Sequence, residues 1–324
     1  MDNLTHTLTG LLMARAGLNR FTPRAAAVLL LAANAPDLDV VTALGGSSTY
    51  LALHRHVTHS LAMAPLLALL PVAIVRLARR SGLDWTRCWL VSLAGVLSHL
   101  LLDLTNLYGI RLLLPFSGSW LRLDITSVVD AWIWAALILA VAAPALSRLV
   151  ESEIGEAGRN RRHGSRWALF ALAFVLVYNG ARALLHDRAV AILESRIYEG
   201  SPAQRVAAFP DPVNPLRWRG LVEGEAFYRI LDVDLRSEFD PSRGTLFYKG
   251  ERNAAVETAG QTEPFRSLLG FVQYPLWVVT PEPESALRVD LMDLRFGTPR
   301  QPGFTATARV DGRGRVLESA FRFR

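Results

Sequence analysis

Cysteine is almost absent from this chain, which has Cys88 alone among its 324 residues. One thiol excludes an internal disulfide and any thiolate-rich metal site. No cleavable signal peptide is expected either, because MDNLTHTLTG is polar and lacks a basic start followed by an apolar core. The chain has no internal repeat and no low-complexity tract. We therefore expect any membrane insertion to depend on apolar segments within the chain itself.

Apolar residues are abundant, at 51% of the sequence with a mean hydropathy of +0.24, as is ordinary for a membrane protein. Four long apolar stretches approach the roughly 20 residues that a helix needs to cross a bilayer. They are residues 61–77, 88–107, 131–149 and 167–185, and two shorter ones, 4–16 and 25–35, precede them. The two short stretches are separated by residues 17–23, whose Asn, Thr and Pro predict a turn between two helices. The pattern predicts an α-helical membrane bundle of about six helices, the first two short.

Arginine is distributed unevenly along the chain and between the predicted loops. Residues 1–186 contain 16 Arg and 10 acidic residues, a net charge of +6, whereas residues 187–324 contain 19 basic and 19 acidic residues. The pI of about 10.0 is therefore a property of the membrane half, and nucleic-acid binding is not expected. One side of the predicted membrane collects Arg15, Arg20, Arg24, Arg76, Arg79, Arg80, Arg87, Arg148, Arg159, Arg161, Arg162 and Arg166, and the other only Arg55, Arg111 and Arg122. The positive-inside rule assigns the first side to the cytoplasm of an inner-membrane protein and places both chain termini outside.

Strand patterns replace apolar runs after residue 187. Alternation or β-forming composition marks residues 226–235, 245–248, 272–279 and 286–296. Residues 305–310 and 316–323 flank Asp311-Gly312-Arg313-Gly314, a hairpin signal. The proline-rich residues 201–218 read as a linker or irregular segment. We predict two domains, a helical transmembrane domain over 1–186 and a β-rich, soluble, extracytoplasmic domain over 187–324.

Histidine and aspartate are concentrated at one predicted membrane face. The residues are His6, Asp37, Asp39, His54, His56, His59, His99, Asp103, Asp124 and Asp130. His99 and Asp103 are four residues apart and so share one face of a helix. The orientation rests on arginines alone, yet it places all of these side chains at the outer end of their segments. Imidazole and carboxylate together suit a divalent metal, and an intramembrane Asp103 needs such a partner because burying its charge alone is costly.

Less specific interpretations apply to several of these residues. A lone His–Asp pair within a span can be hydrogen-bonded structure. At least one of His54, His56 and His59 is expected to face away from the site. Asp124 and Asp130 also fit an acidic outer loop. Arg55 fits either an anionic substrate group or a lipid headgroup equally well.

Four motifs in this order resemble the YdjM-like family of membrane-bound, metal-dependent hydrolases, which includes a LexA-regulated inner-membrane member. The motifs are Leu4-Thr5-His6-Thr7-Leu8, Pro36-Asp37-Leu38-Asp39, His54-Arg55-His56-Val57-Thr58-His59-Ser60 and Ser98-His99-Leu100-Leu101-Leu102-Asp103, with Pro115-Phe116-Ser117, Asp124 and Asp130 extending them. That family is similar at a distance to zinc-dependent phospholipases C and single-strand-specific zinc nucleases. The β-rich domain resembles extensions of some family members.

The resemblance implies a zinc site and a hydrolytic reaction. The implied metal ligands are His6, Asp39, one of His54 or His59, His99 and Asp103, with Asp103 as a bridging carboxylate. The chain departs from the zinc enzymes because it has no later histidine pair for a third metal. Asp37 or Asp124 is the expected carboxylate that orients water or acts as a base, and Arg55 the expected contact for an anion.

The function expected from these observations is hydrolysis of phosphoester or lipid-like substrates at the outer membrane surface, with membrane lipids as partners and Zn²⁺ as the metal. Two alternatives remain open. One is a membrane protein that binds or transports metal without hydrolysis, although the predicted cytoplasmic half has few residues that would continue an ion path. The other is a regulatory membrane protein that works through its outer β-rich domain around a structural metal.

Overall fold

Residues 1–79, 84–153 and 163–323 are described by the computed structural model of this chain. Contacts within the chain divide it into two compact units. The first comprises residues 1–38, 55–188 and 210–217, and the second comprises residues 39–54, 189–209 and 218–324. Arg80, Arg159, Arg161 and Arg162, which contribute to the predicted orientation, lie outside the described residues.

Helices dominate the chain up to residue 194. In the described residues they are α1 (Asn3–Ala16), α2 (Ala25–Ala32), α3 (Ser47–Leu53), α4 (Ala64–Leu67), α5 (Leu69–Arg79), α6 (Trp85–Thr105), α7 (Ala131–Glu153) and α8 (His163–Glu194). Short 3₁₀ helices occupy Leu18–Arg20, Pro36–Gly45 and Val57–His59. Two helices, Trp85–Thr105 and Gly164–Glu194, are long and apolar enough to cross a membrane, or up to four segments if each of two bent helix pairs is one span. Ala131–Ser147 is a shorter apolar helix.

The predicted number of about six helices is not confirmed. The expected helix over residues 61–77 is divided into α4 and α5 at Ala68. Pro71 explains the division, because proline has no amide hydrogen to donate to the preceding turn and is tolerated only near the start of a helix. Additional short helices follow residue 35, where the sequence signals are weak.

Helix α2 lies in close contact with α1 on one side and α6 on the other. A Cβ atom added at Gly10 of α1 would lie 2.7 Å from the carbonyl oxygen of Leu29. A Cβ atom added at Gly95 of α6 would lie 2.8 Å from the Cβ atom of Ala32. Both positions therefore need glycine for the helices to approach. This packing fixes the carboxyl end of α2 against α6.

The second unit consists mainly of antiparallel strands. The strands are β1 (Ile197–Tyr198), β2 (Ser201–Pro202), β3 (Arg205–Pro210), β4 (Arg217–Glu223), β5 (Phe227–Asp234), β6 (Thr245–Tyr248), β7 (Pro275–Pro281), β8 (Leu287–Asp293), β9 (Thr305–Val310) and β10 (Val316–Arg322). One sheet has the order β3-β4-β5-β6, another has the order β10-β9-β8-β7, and β1 pairs with β2. Val289 at the centre of β8 pairs with Val279 of β7 and with Ala308 of β9. The prediction of a β-rich region at the C-terminal end is confirmed.

The interpretation of residues 201–218 as a linker or irregular segment is wrong for the parts that form strands, and holds for residues 211–216 between β3 and β4. β3 runs through this segment and β4 begins at its end. Pro210 ends β3, and Pro212 and Pro215 lie between the two strands. Proline is compatible with a sheet at such positions because no ladder hydrogen bond is required from it.

Two further helices, α9 (Ala254–Gly260) and α10 (Glu263–Leu269), cover strands of the second unit. Helix α3 belongs to this unit although it comes early in the chain, and it contacts α10 and β10. Ser47 at its start donates a hydrogen bond to the carbonyl oxygen of Phe321 at 2.9 Å. Tyr50 packs edge-on against Phe323 with ring centroids 5.7 Å apart. The segment before residue 55 is thus part of the C-terminal unit's core.

Candidate metal centre

Four side chains of the first unit converge on one point. Asp37 lies at the start of the 3₁₀ helix that follows α2, and His59 ends the 3₁₀ helix Val57–His59. His99 and Asp103 lie one turn apart near the carboxyl end of α6. These four residues form a group whose ligand atoms all lie within 4.8 Å of one another. His59, His99 and Asp103 are fully buried, whereas the Asp37 side chain is 11% exposed.

The distances between these atoms are short and nearly equal. The Nε2 atoms of His59 and His99 are 3.1 Å apart. Asp103 Oδ2 lies 3.3 Å from His59 Nε2 and 3.4 Å from His99 Nε2. Asp37 Oδ1 lies 3.4 Å from His59 Nε2 and 3.6 Å from His99 Nε2. Two imidazoles and two carboxylates therefore face each other around a common centre.

The spacing fits a tetrahedral metal. Zinc binds histidine nitrogen and carboxylate oxygen at about 2.0–2.2 Å, which places neighbouring ligand atoms of a tetrahedron about 3.3–3.5 Å apart. Asp103 Oδ2 is buried and receives no hydrogen bond from the described residues. A buried carboxylate oxygen is costly unless a donor or a cation compensates it. The donor set and the orphaned oxygen both fit a divalent cation.

Hydrogen bonds on the far side of each imidazole orient the ring. His99 Nδ1 lies 2.7 Å from the carbonyl oxygen of Ala33, at the carboxyl end of α2. Because a carbonyl can only accept, Nδ1 carries the hydrogen and a neutral ring leaves Nε2 with its lone pair. His59 Nδ1 lies 3.0 Å from Thr58 Oγ1, which can accept in the same way. Such outer contacts are typical of metal-binding histidines.

The other oxygen of Asp103 faces positive and polar groups. Arg55 Nη2 lies 3.1 Å from Asp103 Oδ1, and the main-chain nitrogen of Met1 also contacts this oxygen. Asn106 Nδ2 donates to it at 3.4 Å. His6 is stacked on His99 with ring centroids 3.7 Å apart, and its Nε2 atom lies 3.4 Å from the same oxygen. Asp103 thus faces the other members of the four-residue group with Oδ2. Its Oδ1 atom faces Arg55, Met1, Asn106 and His6.

The residues of this group all lie in the part of the chain that matches a protein family. The family model of the YdjM inner membrane protein matches residues 1–189, more than half of the chain. This chain belongs to the YdjM inner membrane protein family. It is also 30% identical over 152 residues to the uncharacterized protein YfhP of Bacillus subtilis (strain 168), a match that covers 44% of this chain and 46% of that relative. The chain thus aligns with about half the length of this curated relative, and no solved structure matches it.

Several residues predicted for the site are brought together within the YdjM family match. His59, His99 and Asp103, which were predicted as metal ligands, lie in the four-residue group. Asp37 lies in this group too, although it was predicted to orient water or act as a base. His6 and Arg55 lie against Asp103 at its other oxygen.

Asp39 and His54, also predicted as ligands, belong to the second unit. His54 Nδ1 lies 2.8 Å from Asp39 Oδ1, and its ring is stacked on Tyr50 with centroids 4.6 Å apart. This pair anchors α3 to the segment before it. The backbone of Arg55, which follows His54 directly, has a φ of 56°.

Asp124 and Asp130 make contacts of their own. Asp124 pairs with Arg122, at a backbone φ of 56°. Asp130 caps α7 by accepting from the amides of Trp132 and Ile133 at 3.1 and 3.3 Å, and it accepts from Tyr178 Oη at 3.2 Å. Burial raises the pKa of the Asp130 carboxyl. Neither carboxylate lies in the four-residue group.

The groups that orient the ligands have almost no signal in the sequence. Thr58 precedes His59 and carries no independent signal. The Ala33 carbonyl becomes accessible only because α2 ends there, and no residue type marks it. Asn106 accepts from the amide of Tyr108 at 2.8 Å and from Arg55 Nη1 at 3.3 Å, and its position three residues after Asp103 was the one available signal.

Proposed function

We propose that this YdjM family protein is a membrane-bound, metal-dependent hydrolase that acts on phosphoester or lipid-like substrates at the outer face of the membrane. The single observation that carries the proposal is the convergence of Asp37, His59, His99 and Asp103, whose ligand atoms all lie within 4.8 Å of one another. We propose Zn²⁺ as the metal, since two imidazoles and two carboxylates suit it and no thiolate is required. The extracytoplasmic location of the site and of the C-terminal unit is supported by the arginine bias of the loops.

One ion, rather than a cluster, is favoured by the charges around Asp103. Its Oδ2 atom faces the four-residue group, whereas Oδ1 faces the guanidinium of Arg55. A second cation at Oδ1 would be repelled by that guanidinium at close range. Arg55 therefore has the role of neutralising Asp103, and its contact with Asn106 holds it there.

Access to the centre is expected from the side of Asp37, the one member of the group with exposed surface. A divalent cation held by these residues would supply Lewis acidity, and zinc can accept a fifth ligand during catalysis. Asp37 Oδ1 faces the histidines, and its other oxygen would orient the attacking water and accept its proton. The Ala33 carbonyl holds His99 in the tautomer with a lone pair on Nε2, and the Thr58 hydroxyl can accept from His59 Nδ1 in the same way.

The test is hydrolysis by protein purified in detergent or nanodiscs, stripped with a chelator and reloaded with Zn²⁺, Mn²⁺ or Fe²⁺. The probes are p-nitrophenyl phosphate, bis(p-nitrophenyl) phosphate and phospholipid vesicles. We expect metal-dependent turnover of at least one probe, abolished in His99→Ala and Asp103→Ala. His186→Ala is the matched control. His186 is a partly buried histidine of α8 that contacts Asp187 and lies outside the four-residue group. Stoichiometric metal without turnover of any probe would contradict the hydrolase and favour a non-catalytic metal protein.

A further inference from the structure

The chain between α6 and α7 makes a closed apolar excursion, residues 111–120. Its base is fixed by two hydrogen bonds, from the amide of Ile110 to the carbonyl of Leu121 and back, each 2.9 Å long. Ile110 at the base is fully buried. Internal turns, such as the hydrogen bond from the amide of Phe116 to the carbonyl of Leu113 at 2.9 Å, make the excursion compact. It therefore projects from a fixed base as an ordered element.

The exposed surface of this excursion is apolar. Residues 112–121 read LLLPFSGSWL and contain no charged side chain. Phe116 at the tip is 92% exposed and Leu113 is 44% exposed. Large apolar side chains at this exposure are unusual unless a surface covers them. Arg111 at one end stacks its guanidinium over the Trp120 ring, 5.0 Å from the centroid.

The position of the excursion indicates which kind of surface covers its exposed apolar side chains. It begins six residues after the end of Trp85–Thr105, one of the two helices able to span a membrane unaided. An apolar tip flanked by arginine and tryptophan is the composition of a segment that lies at the boundary between hydrocarbon and headgroups. A bilayer surface is therefore favoured over a protein partner.

The same excursion is attached to the segment that supplies the metal centre. The amide of Leu61 donates to the carbonyl of Leu112 at 2.9 Å, and the amide of Arg111 donates to the carbonyl of Arg55 at 3.3 Å. His59 lies in the chain between these two attachment points, Arg55 and Leu61. The base of the excursion and the candidate metal centre are thus parts of one hydrogen-bonded structure.

We propose that residues 111–120 insert into the outer leaflet at the level of the headgroups and bring phospholipid headgroups to the His–Asp centre. The insertion stands on the excursion alone. The substrate class, a phospholipid resident in the same bilayer, rests on the proposed function. The excursion would then select membrane-resident over water-soluble phosphoesters.

Insertion can be tested without activity by attaching an environment-sensitive fluorophore to Phe116→Cys in nanodiscs. The native Cys88 is buried, so the introduced thiol is the accessible one. We expect a blue-shifted emission that is quenched by lipids carrying a nitroxide near the headgroup. Ser242→Cys, on an exposed loop of the second unit, is the control and should show neither effect. Emission at position 116 equal to the control, or shielding without nitroxide quenching, would overturn the proposal and point to a protein partner or a second copy.

The substrate class is tested with Phe116→Asp, which keeps the four-residue group intact. We expect at least a tenfold loss of turnover of phospholipid in nanodiscs, with metal content and turnover of bis(p-nitrophenyl) phosphate unchanged. An equal loss on both substrates, or no loss on either, would overturn the selection of membrane-resident substrates. If wild-type protein turns over neither substrate, the proposed function fails while the fluorescence result still decides insertion.

Discussion

The two oxygens of Asp103 face different partners, and this division organises the candidate site. Oδ2 faces two imidazole nitrogens, and Oδ1 faces a guanidinium and an amide. A buried carboxylate with a single negative charge can be shared in this way only if both sides offer positive charge or donors. The Ala33 carbonyl leaves His99 with a lone pair on Nε2, and a cation beside that atom would supply the positive charge that Oδ2 lacks.

The hydroxyl of Thr58 is expected to tune the metal affinity. Thr58→Val keeps the size of the side chain and removes the acceptor for His59 Nδ1, which lies 3.0 Å away. We expect Zn²⁺ binding to weaken by about 10- to 100-fold, since losing an outer-shell partner typically costs this much. Competition with a chromophoric chelator measures this Zn²⁺ affinity. Thr49→Val, whose hydroxyl bonds the carbonyl of Gly45 in the second unit, should leave the affinity unchanged.

Arg55 is expected to stabilise the metal-free protein. In Arg55→Met the buried Asp103 loses a guanidinium 3.1 Å away, and breaking one side of a buried ion pair costs about 3–5 kcal/mol. The thermal unfolding midpoint of the chelator-treated variant should therefore fall well below that of treated wild type. Added Zn²⁺ should restore part of the difference, because a bound cation also compensates Asp103. An unchanged midpoint would show that Arg55 is not the partner of this carboxylate.

Residue spacing predicted part of the site. The four-residue interval of His99 and Asp103 is enough to place both on one helix face. Spacing does not distinguish among His54, His56 and His59, and the backbone of Arg55 between the first two has a left-handed φ of 56°. A residue other than glycine adopts this region rarely and only where the surrounding structure requires it.

Helix packing links the glycines of α1 and α6 to the metal centre. Both close approaches hold α2, whose carboxyl end presents the Ala33 carbonyl to His99. A larger side chain at Gly10 or Gly95 must push α2 away. The orientation of a metal ligand therefore depends on contacts between helices that carry no ligand chemistry at all.

Enlarging one of these glycines should weaken metal binding from a distance. Gly95→Val places side-chain atoms where Ala32 now lies, and overpacking of this kind costs about 1–3 kcal/mol. We expect lower thermal stability together with weaker Zn²⁺ affinity, measured on the same preparation. Gly180→Ala in α8 is the control, since nothing lies within 4 Å of the added Cβ atom and the change should stabilise the helix slightly. Lower stability with unchanged Zn²⁺ affinity would show that the position of α2 does not affect the metal centre.

At the level of elements, apolar length and alternation predicted α1, α2, α6 and most strands. Predictions from these patterns failed at prolines that do not interrupt regular structure in the usual way. Pro71 lies in the first turn of a new helix within an apolar run, and the prolines of residues 201–218 lie at strand ends or between strands. These outcomes depend on which amide needs a partner, and that is set by tertiary structure.

The whole molecule contains one feature with no sequence signal. Residues 39–54 belong with the C-terminal unit although they lie between two segments of the first. Their contacts with α10 and β10 join residues more than 200 positions apart, as in the hydrogen bond from Ser47 to Phe321. Local periodicity carries no information about such pairings.

The orientation of the chain is a prediction at this scale. A periplasmic reporter such as alkaline phosphatase, joined after Phe323, should be active, because the arginine-rich loops hold the opposite side in the cytoplasm. Green fluorescent protein at the same position should be dark if it is exported unfolded. The reverse result would place the candidate centre at the cytoplasmic face.

X-ray absorption at the zinc edge is the most direct measurement of the central claim. Protein loaded with one equivalent of Zn²⁺ should show two imidazole nitrogens and two carboxylate oxygens at about 2.0–2.2 Å. This signature should disappear in His59→Ala and persist in His56→Ala, whose histidine is outside the four-residue group. Failure of wild-type protein to retain zinc, or an equal spectrum in His59→Ala, would contradict the account.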